Sequence, residues 1–257
     1  MKDKISIITI NLNDKIGLDK TIKSIVNQTY QVIELLVIDG ASTDGSLEVL
    51  NNYKENIDYV VSEKDSGIYE AMNKGVVKST GKYVLFLNSG DVLNSNSAIE
   101  DFVNHDKFTG DIIYGDYKFE EGEKIYPDQI TPFYFLKTSL PHQSTFFKRD
   151  VFDIIGLYDE SYQISSDRAF YVKCFLSNQF KFQHIKYSLT LYDLKGLSND
   201  TKYLELKKKE DQQIFEKYYG VFYQDYLNYL ALQKKISIKK RNSLKGILKR
   251  IKNRLGL

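Results

Sequence analysis

Two carboxylates stand where apolar runs end. Residues 33–38 (Ile33-Glu34-Leu35-Leu36-Val37-Ile38) lead straight into Asp39, and residues 82–87 lead through Asn88-Ser89-Gly90 into Asp91. A near-continuous Val/Ile/Leu run reads as a strand buried on both faces of a parallel sheet, and ligands of open α/β sheets bind beyond the carboxyl ends of such strands. Two acids at two such ends, with helix-like sequence between them, imply one shared cleft. One acid there could read a base or ribose, and the other could hold a divalent cation on phosphates. That is the chemistry of a nucleotide-dependent enzyme. Each acid also has a plainer reading, Asp39 in an ordinary strand–turn–helix and Gly90-Asp91 as a turn before a helix.

The residues after Asp39 fit an anion-facing helix start. Gly40 permits close backbone approach or a positive φ, and Ser42, Thr43 and Asp44 are cap formers. Further on, Asp65-Ser66-Gly67 opens a helix in which Ile68, Met72 and Val76 pack. Asn73 and Lys74 join Tyr69 and Glu70 on its polar side, which can face the cleft; spacing alone favours a solvated face. A phosphate-binding P-loop is excluded, because Gly75 and Gly81-Lys82 bracket five residues and Tyr83 replaces the Ser/Thr. No Gly-x-Gly-x-x-Gly string occurs, and the three histidines have no zinc spacing.

The elements that must position these groups alternate. Strands are expected at 5–10, 33–38, 58–61, 83–87 and 112–114. Helices are expected from 18 to about 28, from a Ser42 or Thr43 cap through Leu50, from about 67, and near 97–103. This predicts an α/β fold with a doubly wound, mostly parallel sheet in an α/β/α sandwich. Beyond about 115 the pattern changes to a hairpin at 117–126, a loop-rich middle around Pro127, Pro132 and Pro141, a strand at 144–147, a helix at 165–176 and a strand at 181–192. A charged, tyrosine-rich helical stretch follows at 201–233. The expected divisions are a nucleotide-binding half (1–115), an acceptor-side half of the same domain (116–200) and C-terminal helices (201–257).

Composition narrows the class. With 42% hydrophobic and 14% aromatic residues the 257-residue chain can bury a core. No run approaches the roughly 18–20 apolar residues of a membrane span, and Met1-Lys2-Asp3-Lys4 leaves no room for a signal peptide before the first strand. The single cysteine, Cys174, excludes an internal disulfide, suits a reducing cytosol and lies in an apolar context that reads as core. Residues 234–257 hold ten of the 36 basic residues and none of the 34 acidic ones, so the remainder carries 26 against 34, a net −8. An acidic body is not a nucleic-acid binder. In the tail, Leu244, Ile247, Leu248, Ile251 and Leu255 form one stripe, with Lys245, Lys249, Arg250, Lys252 and Arg254 around it. That is a basic amphipathic helix suited to an anionic membrane surface, with a disordered solubilising tail as the plainer alternative.

Taken in order, the strings resemble the bacterial family 2 glycosyltransferases of the GT-A fold, in particular a surface-polysaccharide branch. They are the 5–11 strand, Asp39-Gly40-Ala41-Ser42-Thr43-Asp44-Gly45, Asp65 to Gly75, and Leu87-Asn88-Ser89-Gly90-Asp91. Tyr114-Gly115-Asp116, Pro141-His142-Gln143-Ser144 and Ile164-Ser165-Ser166-Asp167 extend the likeness downstream. The resemblance implies that Asp39 contacts the nucleotide base, most often uracil, and that Thr9, Asn11, Asp65, Asn73, Asn88 and Ser89 lie on the nucleotide side. It implies Asp91 as the protein carboxylate on Mg²⁺ or Mn²⁺, in a metal motif depleted by Asn88 and Gly90. Asp167 matches the catalytic base of an inverting transfer, and His142 would reach the diphosphate or acceptor. The implied partners are a nucleotide-sugar donor, most often a UDP-sugar in this family, and a glycan or polyprenyl-linked acceptor, met at the inner face of the cell membrane. Two other readings stay open at the level of sequence. A nucleotidyltransferase would carry a Gly-rich basic loop after the first strand, where Asn11-Leu12-Asn13-Asp14 has none. A catalytically silent sugar-nucleotide or membrane-binding scaffold would tolerate the depleted motif.

Overall fold

The computed structural model of the chain describes residues 2–192 and 201–255, with the side chains of 244–245 and 248–255 outside the description. It divides into two compact units, Met1–Asp211 and Gln212–Leu257.

The larger unit begins as the hydropathy pattern requires. Strand β1 (Ile5–Asn11) is buried along its whole length, and α1 (Lys15–Val26) follows, capped by the Asp14 carboxylate on the Gly17 N–H. Gly17, Leu18, Thr21, Ile22 and Ile25 form its buried stripe. Strand β2 (Ile33–Asp39), α2 (Ser46–Asn52), β3 (Tyr59–Ser62), α3 (Ile68–Lys78) and β4 (Tyr83–Phe86) complete the alternation. All three strand pairs here, β3–β2, β2–β1 and β1–β4, are parallel, as expected. Their carboxyl ends therefore share one edge. Gly75 sets how closely α3 lies on the sheet, because a Cβ there would come within 2.4 Å of Ile8 Cγ2.

Beyond β4 the sheet becomes mixed. After β5 (Val92–Leu93) and α4 (Ala98–Val103) come β6 (Ile112–Phe119) and β7 (Gly122–Lys124), the expected hairpin. Then follow α5 (Pro132–Lys137), a 3₁₀ turn (His142–Ser144), β8 (Thr145–Lys148), α6 (Asp150–Ile155), α7 (Ser166–Leu176) and β9 (Phe182–Leu191). The strand order is β3-β2-β1-β4-β8-β6-β9-β5, with β7 on β6. Strand β8 runs antiparallel to both β4 and β6. Parallel pairing thus holds for β1 to β4 and returns only at β6–β9. The reversal has a consequence for chemistry: β8 starts at the edge where β1, β2 and β4 end, so the 3₁₀ turn before it arrives beside Asn88. The short β5, α5 and α6 carry too few apolar repeats to be read from sequence.

Aromatic rings fill the space between β4, β8, α6 and α7. Phe86, Phe147, Phe152, Tyr158 and Phe170 pack at centroid separations of 4.9–6.2 Å, mostly in the tilted and edge-on arrangements that ring quadrupoles favour. Cys174 is buried within α7 as expected, and burial pushes its thiol well above the ordinary value. Buried His184 on β9 lies 2.6 Å from Asp128 and 3.0 Å from Asp116. Burial alone would lower its pKa, but the two carboxylates outweigh that and raise it. The His184 ring thus ties Asp116, of the Tyr114-Gly115-Asp116 string, to the loop that carries Asp128.

Helix α8 (Leu204–Tyr219) gives its first turns to the larger unit. The smaller unit contains the rest of α8 and α9 (Tyr223–Leu255), joined by a 3₁₀ turn where Phe215, Tyr219, Tyr223 and Tyr226 stack at 5.3–5.9 Å. The helical backbone of the basic tail is present. Its expected stripe falls mainly outside the described side chains; Ile247 and, earlier on α9, Leu232, Ile236 and Ile238 are exposed. No described helix is long and apolar enough to cross a membrane.

Candidate active site

Asp39 ends β2 opposite Asn11 at the end of β1, and the two meet: Asn11 Nδ2 donates to Asp39 Oδ1 at 2.7 Å. Ala41, not Gly40, takes the left-handed turn (φ 61°). That turn folds Ser42 back, so its N–H and hydroxyl both donate to Asp39. Ser42 is therefore a ligand of the carboxylate and does not cap α2. The helix starts at Ser46, behind left-handed Gly45 and under the Asp44 carboxylate. The Ser62 hydroxyl supplies a fourth donor. Burial by itself would raise the Asp39 pKa, but hydrogen bonds from Ser42, Ser62 and Asn11 outweigh it and hold the group below the usual value. Asp39 is thus ionised at neutral pH and fully enclosed.

Asp65 lies over the open side of Gly40. A Cβ on Gly40 would sit 2.9 Å from Asp65 Oδ2 and 3.2 Å from the exposed Leu12 side chain. Burial raises the Asp65 pKa, Lys74 counteracts it, and the charges of Glu70 and Asp39 add to the rise. Asp65 thus feels the Asp39 charge across Gly40. Thr9 lies two residues before Asn11 on β1, and its buried hydroxyl has no hydrogen-bond partner.

The 88–91 segment is a tight turn: the Asp91 N–H donates to the Asn88 carbonyl at 2.9 Å, with Gly90 at φ 97°. Glycine is the residue that reaches this φ without strain. Ser89 Oγ donates to Asn11 Oδ1 at 2.9 Å, joining the turn to the Asp39 network. Thr21 of α1 pins it from below, donating to the Asp91 carbonyl at 2.7 Å and accepting the Gly90 N–H at 3.0 Å. Asp91 is 6% exposed, and Asn88 Oδ1 is buried without a hydrogen-bond partner.

His142 joins the two halves. Its Nε2 lies 3.3 Å from Asn88 Nδ2, and its Nδ1 lies 3.9 Å from Asp167 Oδ2. Burial lowers its pKa, with the Asp167 charge pulling the other way. With Asn88 Nδ2 as donor, Nε2 accepts and the neutral ring carries its proton on Nδ1, facing Asp167. Asp167 is the second residue of α7; its Oδ1 accepts the Arg168 N–H at 2.8 Å and lies 3.2 Å from the buried Tyr69 hydroxyl. Asp39, Asn11 and Ser89 on one side, and Asn88, His142, Asp167 and Tyr69 on the other, thus form one run of contacts along a single edge of the sheet.

Asn73 stands apart from this run. Its amide accepts the Tyr158 N–H at 2.9 Å and donates to the Tyr158 carbonyl at 3.0 Å and to Glu160 at 2.8 Å. It fastens α3 to the 158–160 loop. Nothing local in the sequence marks Thr21 in α1 or Ser62 closing β3 as part of the site, whereas Tyr69 falls on the polar side expected for α3.

As a metal site the donor set is lean. Among the described residues no group of three or more His, Cys, Asp or Glu could hold an ion. One carboxylate, Asp91, beside the unpartnered amide oxygen of Asn88 fits a cation that takes its remaining ligands from phosphate oxygens and water, as Mg²⁺ and Mn²⁺ do.

Comparison with known proteins identifies the fold and the family. The fold is that of the GT-A glycosyltransferases. The structure of Staphylococcus aureus TarS 1–349 in complex with UDP-GlcNAc superposes with a TM-score of 0.64 over 86% of this chain and 73% of that one, at 16% identity. A mannosyltransferase from Pyrobaculum calidifontis in complex with GDP-Man and Mn²⁺ gives 0.62 over 84% and 64%, at 14% identity. In sequence, a PGL/p-HBAD biosynthesis glycosyltransferase of Mycobacterium bovis is 30% identical over 206 residues, 76% of this chain and 78% of that protein. The sequence model of Glycosyl transferase family 2 matches residues 6–160. The chain belongs to glycosyltransferase family 2 and is a glycosyltransferase.

Proposed function

We propose that the protein transfers a sugar, with inversion, from a nucleotide-diphosphate donor, foremost a UDP-sugar, to a hydroxyl of a glycan or polyprenyl-linked acceptor in cell-surface polysaccharide synthesis. The observation that carries this reading is His142, which places the turn suited to a diphosphate and the carboxylate suited to a base on its two ring nitrogens.

Asp39 receives the base N–H in place of the Ser62 hydroxyl, the partner at the part-buried end of its network. Asn11 and Ser42 keep the carboxylate oriented meanwhile. Asp65 faces the nucleoside across Gly40. Ser89 and Asn88 flank the diphosphate, and Asp91 with Asn88 Oδ1 would hold a divalent cation. Such a cation, when bound, supplies charge stabilisation to the departing diphosphate. Asp167 takes the acceptor hydroxyl's proton as that oxygen bonds to the anomeric carbon, while the bond to the diphosphate oxygen breaks and its electron pair leaves with the nucleotide. Tyr69 and His142 hold the carboxylate in line.

A thermal-shift series with UDP, UDP-sugars and GDP-mannose, with and without Mn²⁺, tests the donor assignment. Ligand at 100 times its Kd stabilises by about 2.7 kcal/mol, so UDP is expected to raise Tm and Mn²⁺ to enlarge the rise. A flat response to every nucleotide would end the donor reading. Gly40→Ala is expected to move the Asp65 carboxylate and weaken UDP binding about tenfold, or ~1.4 kcal/mol, with little change in Tm because the displaced atom ends a flexible side chain. Titration calorimetry showing wild-type affinity would remove Asp65 from the pocket.

The acceptor argues for a membrane surface. The helical tail from 234 onward carries ten basic residues and no acid, and each Lys or Arg at an anionic leaflet contributes about 1 kcal/mol. We assign it to the inner face of the cell membrane, with the protein cytoplasmic and peripheral. Full-length chain is expected to co-sediment with vesicles containing anionic lipid and a chain ending at 233 to stay behind. Equal sedimentation would refute the assignment.

A further inference from the structure

Helix α7 begins without a local cap. Ser165 at its N-cap position makes no capping bond, and the hydroxyls of Ser165 and Ser166 have no hydrogen-bond partner. The segment leading into it is instead held from 45 residues away. Glu210, 4% exposed on α8, accepts three consecutive backbone N–H groups: Gln163 at 2.7 Å, Ile164 at 3.0 Å and Ser165 at 2.9 Å. The adjacent Asp211 pairs with Arg168, the residue after Asp167. On the opposite side, the Tyr69 hydroxyl donates to the Ile164 carbonyl at 2.7 Å.

We infer that Glu210 is the positioning residue for the catalytic base: α8 fixes the 163–165 backbone, and through it the place of Asp167 beside His142 and Tyr69. The inference rests on the reading of Asp167 as the base. A carboxylate is suited to this task because its two oxygens offer enough lone pairs for three converging amides. Without it, three enclosed N–H groups must find other partners, and the segment must shift to do so. A displacement of about 1 Å at a reacting group can cost about 100-fold in rate. Glu210 itself touches neither the Asp39 network nor the 88–91 turn, so its loss is expected to leave nucleotide recognition in place.

The test uses the full-length chain with Glu210→Ala and Glu210→Gln, and Asp167→Asn in parallel. It reads kcat, donor KM and the Kd of UDP by calorimetry. The expected result is a kcat reduced about 100-fold in Glu210→Ala and about tenfold in Glu210→Gln, with donor KM and UDP Kd within twofold of wild type. The glutamine retains one acceptor oxygen but points an amide donor at the remaining N–H, which places it between the two. Should the alanine variant not accumulate folded, the glutamine variant carries the same comparison. Wild-type kcat in a Glu210 variant while Asp167→Asn is inactive would overturn the positioning role and leave the base assignment standing. Loss of kcat and UDP affinity together would also overturn it, since that marks general loosening. Full turnover by Asp167→Asn would instead overturn the base assignment, and the positioning role with it.

Discussion

Asp167→Asn is expected to lower sugar transfer by about 10²–10⁴-fold, the range for removing a general base, while UDP binds as in wild type. The substitution is conservative in shape. An asparagine oxygen can still accept the Arg168 N–H and face the Tyr69 hydroxyl, both of which meet Asp167 Oδ1. The other position, Oδ2 toward His142, becomes an amide that cannot take a proton. The fold and the nucleotide pocket should therefore survive, and kcat alone should fall. Donor hydrolysis and acceptor-dependent transfer, measured beside UDP calorimetry, separate the two effects. A variant that turns over like wild type would show that the acceptor's proton goes elsewhere, and would favour a silent scaffold if the wild type is equally idle.

Asp91→Ala is the second large effect. The backbone of the turn is held independently of this side chain, by the Asp91 N–H on the Asn88 carbonyl and by Thr21 on the Asp91 carbonyl, so the fold is expected to persist. The only carboxylate in the turn is removed. Metal stabilisation of the leaving group is worth several kcal/mol, and at 1.36 kcal/mol per tenfold a reduction in kcat/KM of about 10³-fold is expected. The sharper readout is a difference of differences: the extra rise in Tm that Mn²⁺ adds to UDP should vanish in Asp91→Ala, while the rise from UDP alone is mostly kept. An undiminished Mn²⁺ increment would remove Asp91 from the cation's ligands.

The same residues show where sequence reading succeeds and where it stops. β1, β2 and β4 are visible in sequence because a strand buried on both faces is apolar at most positions, and helices packed on it must repeat at helical spacing. Asp39 and Asp91 stood out as the polar residues that end such runs. Asn73 shows why a polar residue on a helix is ambiguous in sequence: it can face a ligand or a neighbouring loop, and in the structure its amide is bound to the 158–160 loop. Ser42 suits a cap by residue type, but the left-handed turn at Ala41, unfavourable for a residue with a Cβ, directs it to Asp39 instead.

Chemistry at the strand ends, the alternating α/β order and the basic character of the tail were decided by the chain's own residues, because local periodicity and side-chain type are enough to specify them. The meeting of Asn88 with Asp167 through His142, and the grip of Glu210 on 163–165, were decided only by the tertiary structure. Those contacts depend on β8 entering the sheet against the direction of its neighbours and on α8 coming back to the loop before α7. Neither event leaves a local pattern, since contacts between residues 25 or more positions apart place no constraint on the sequence around either partner.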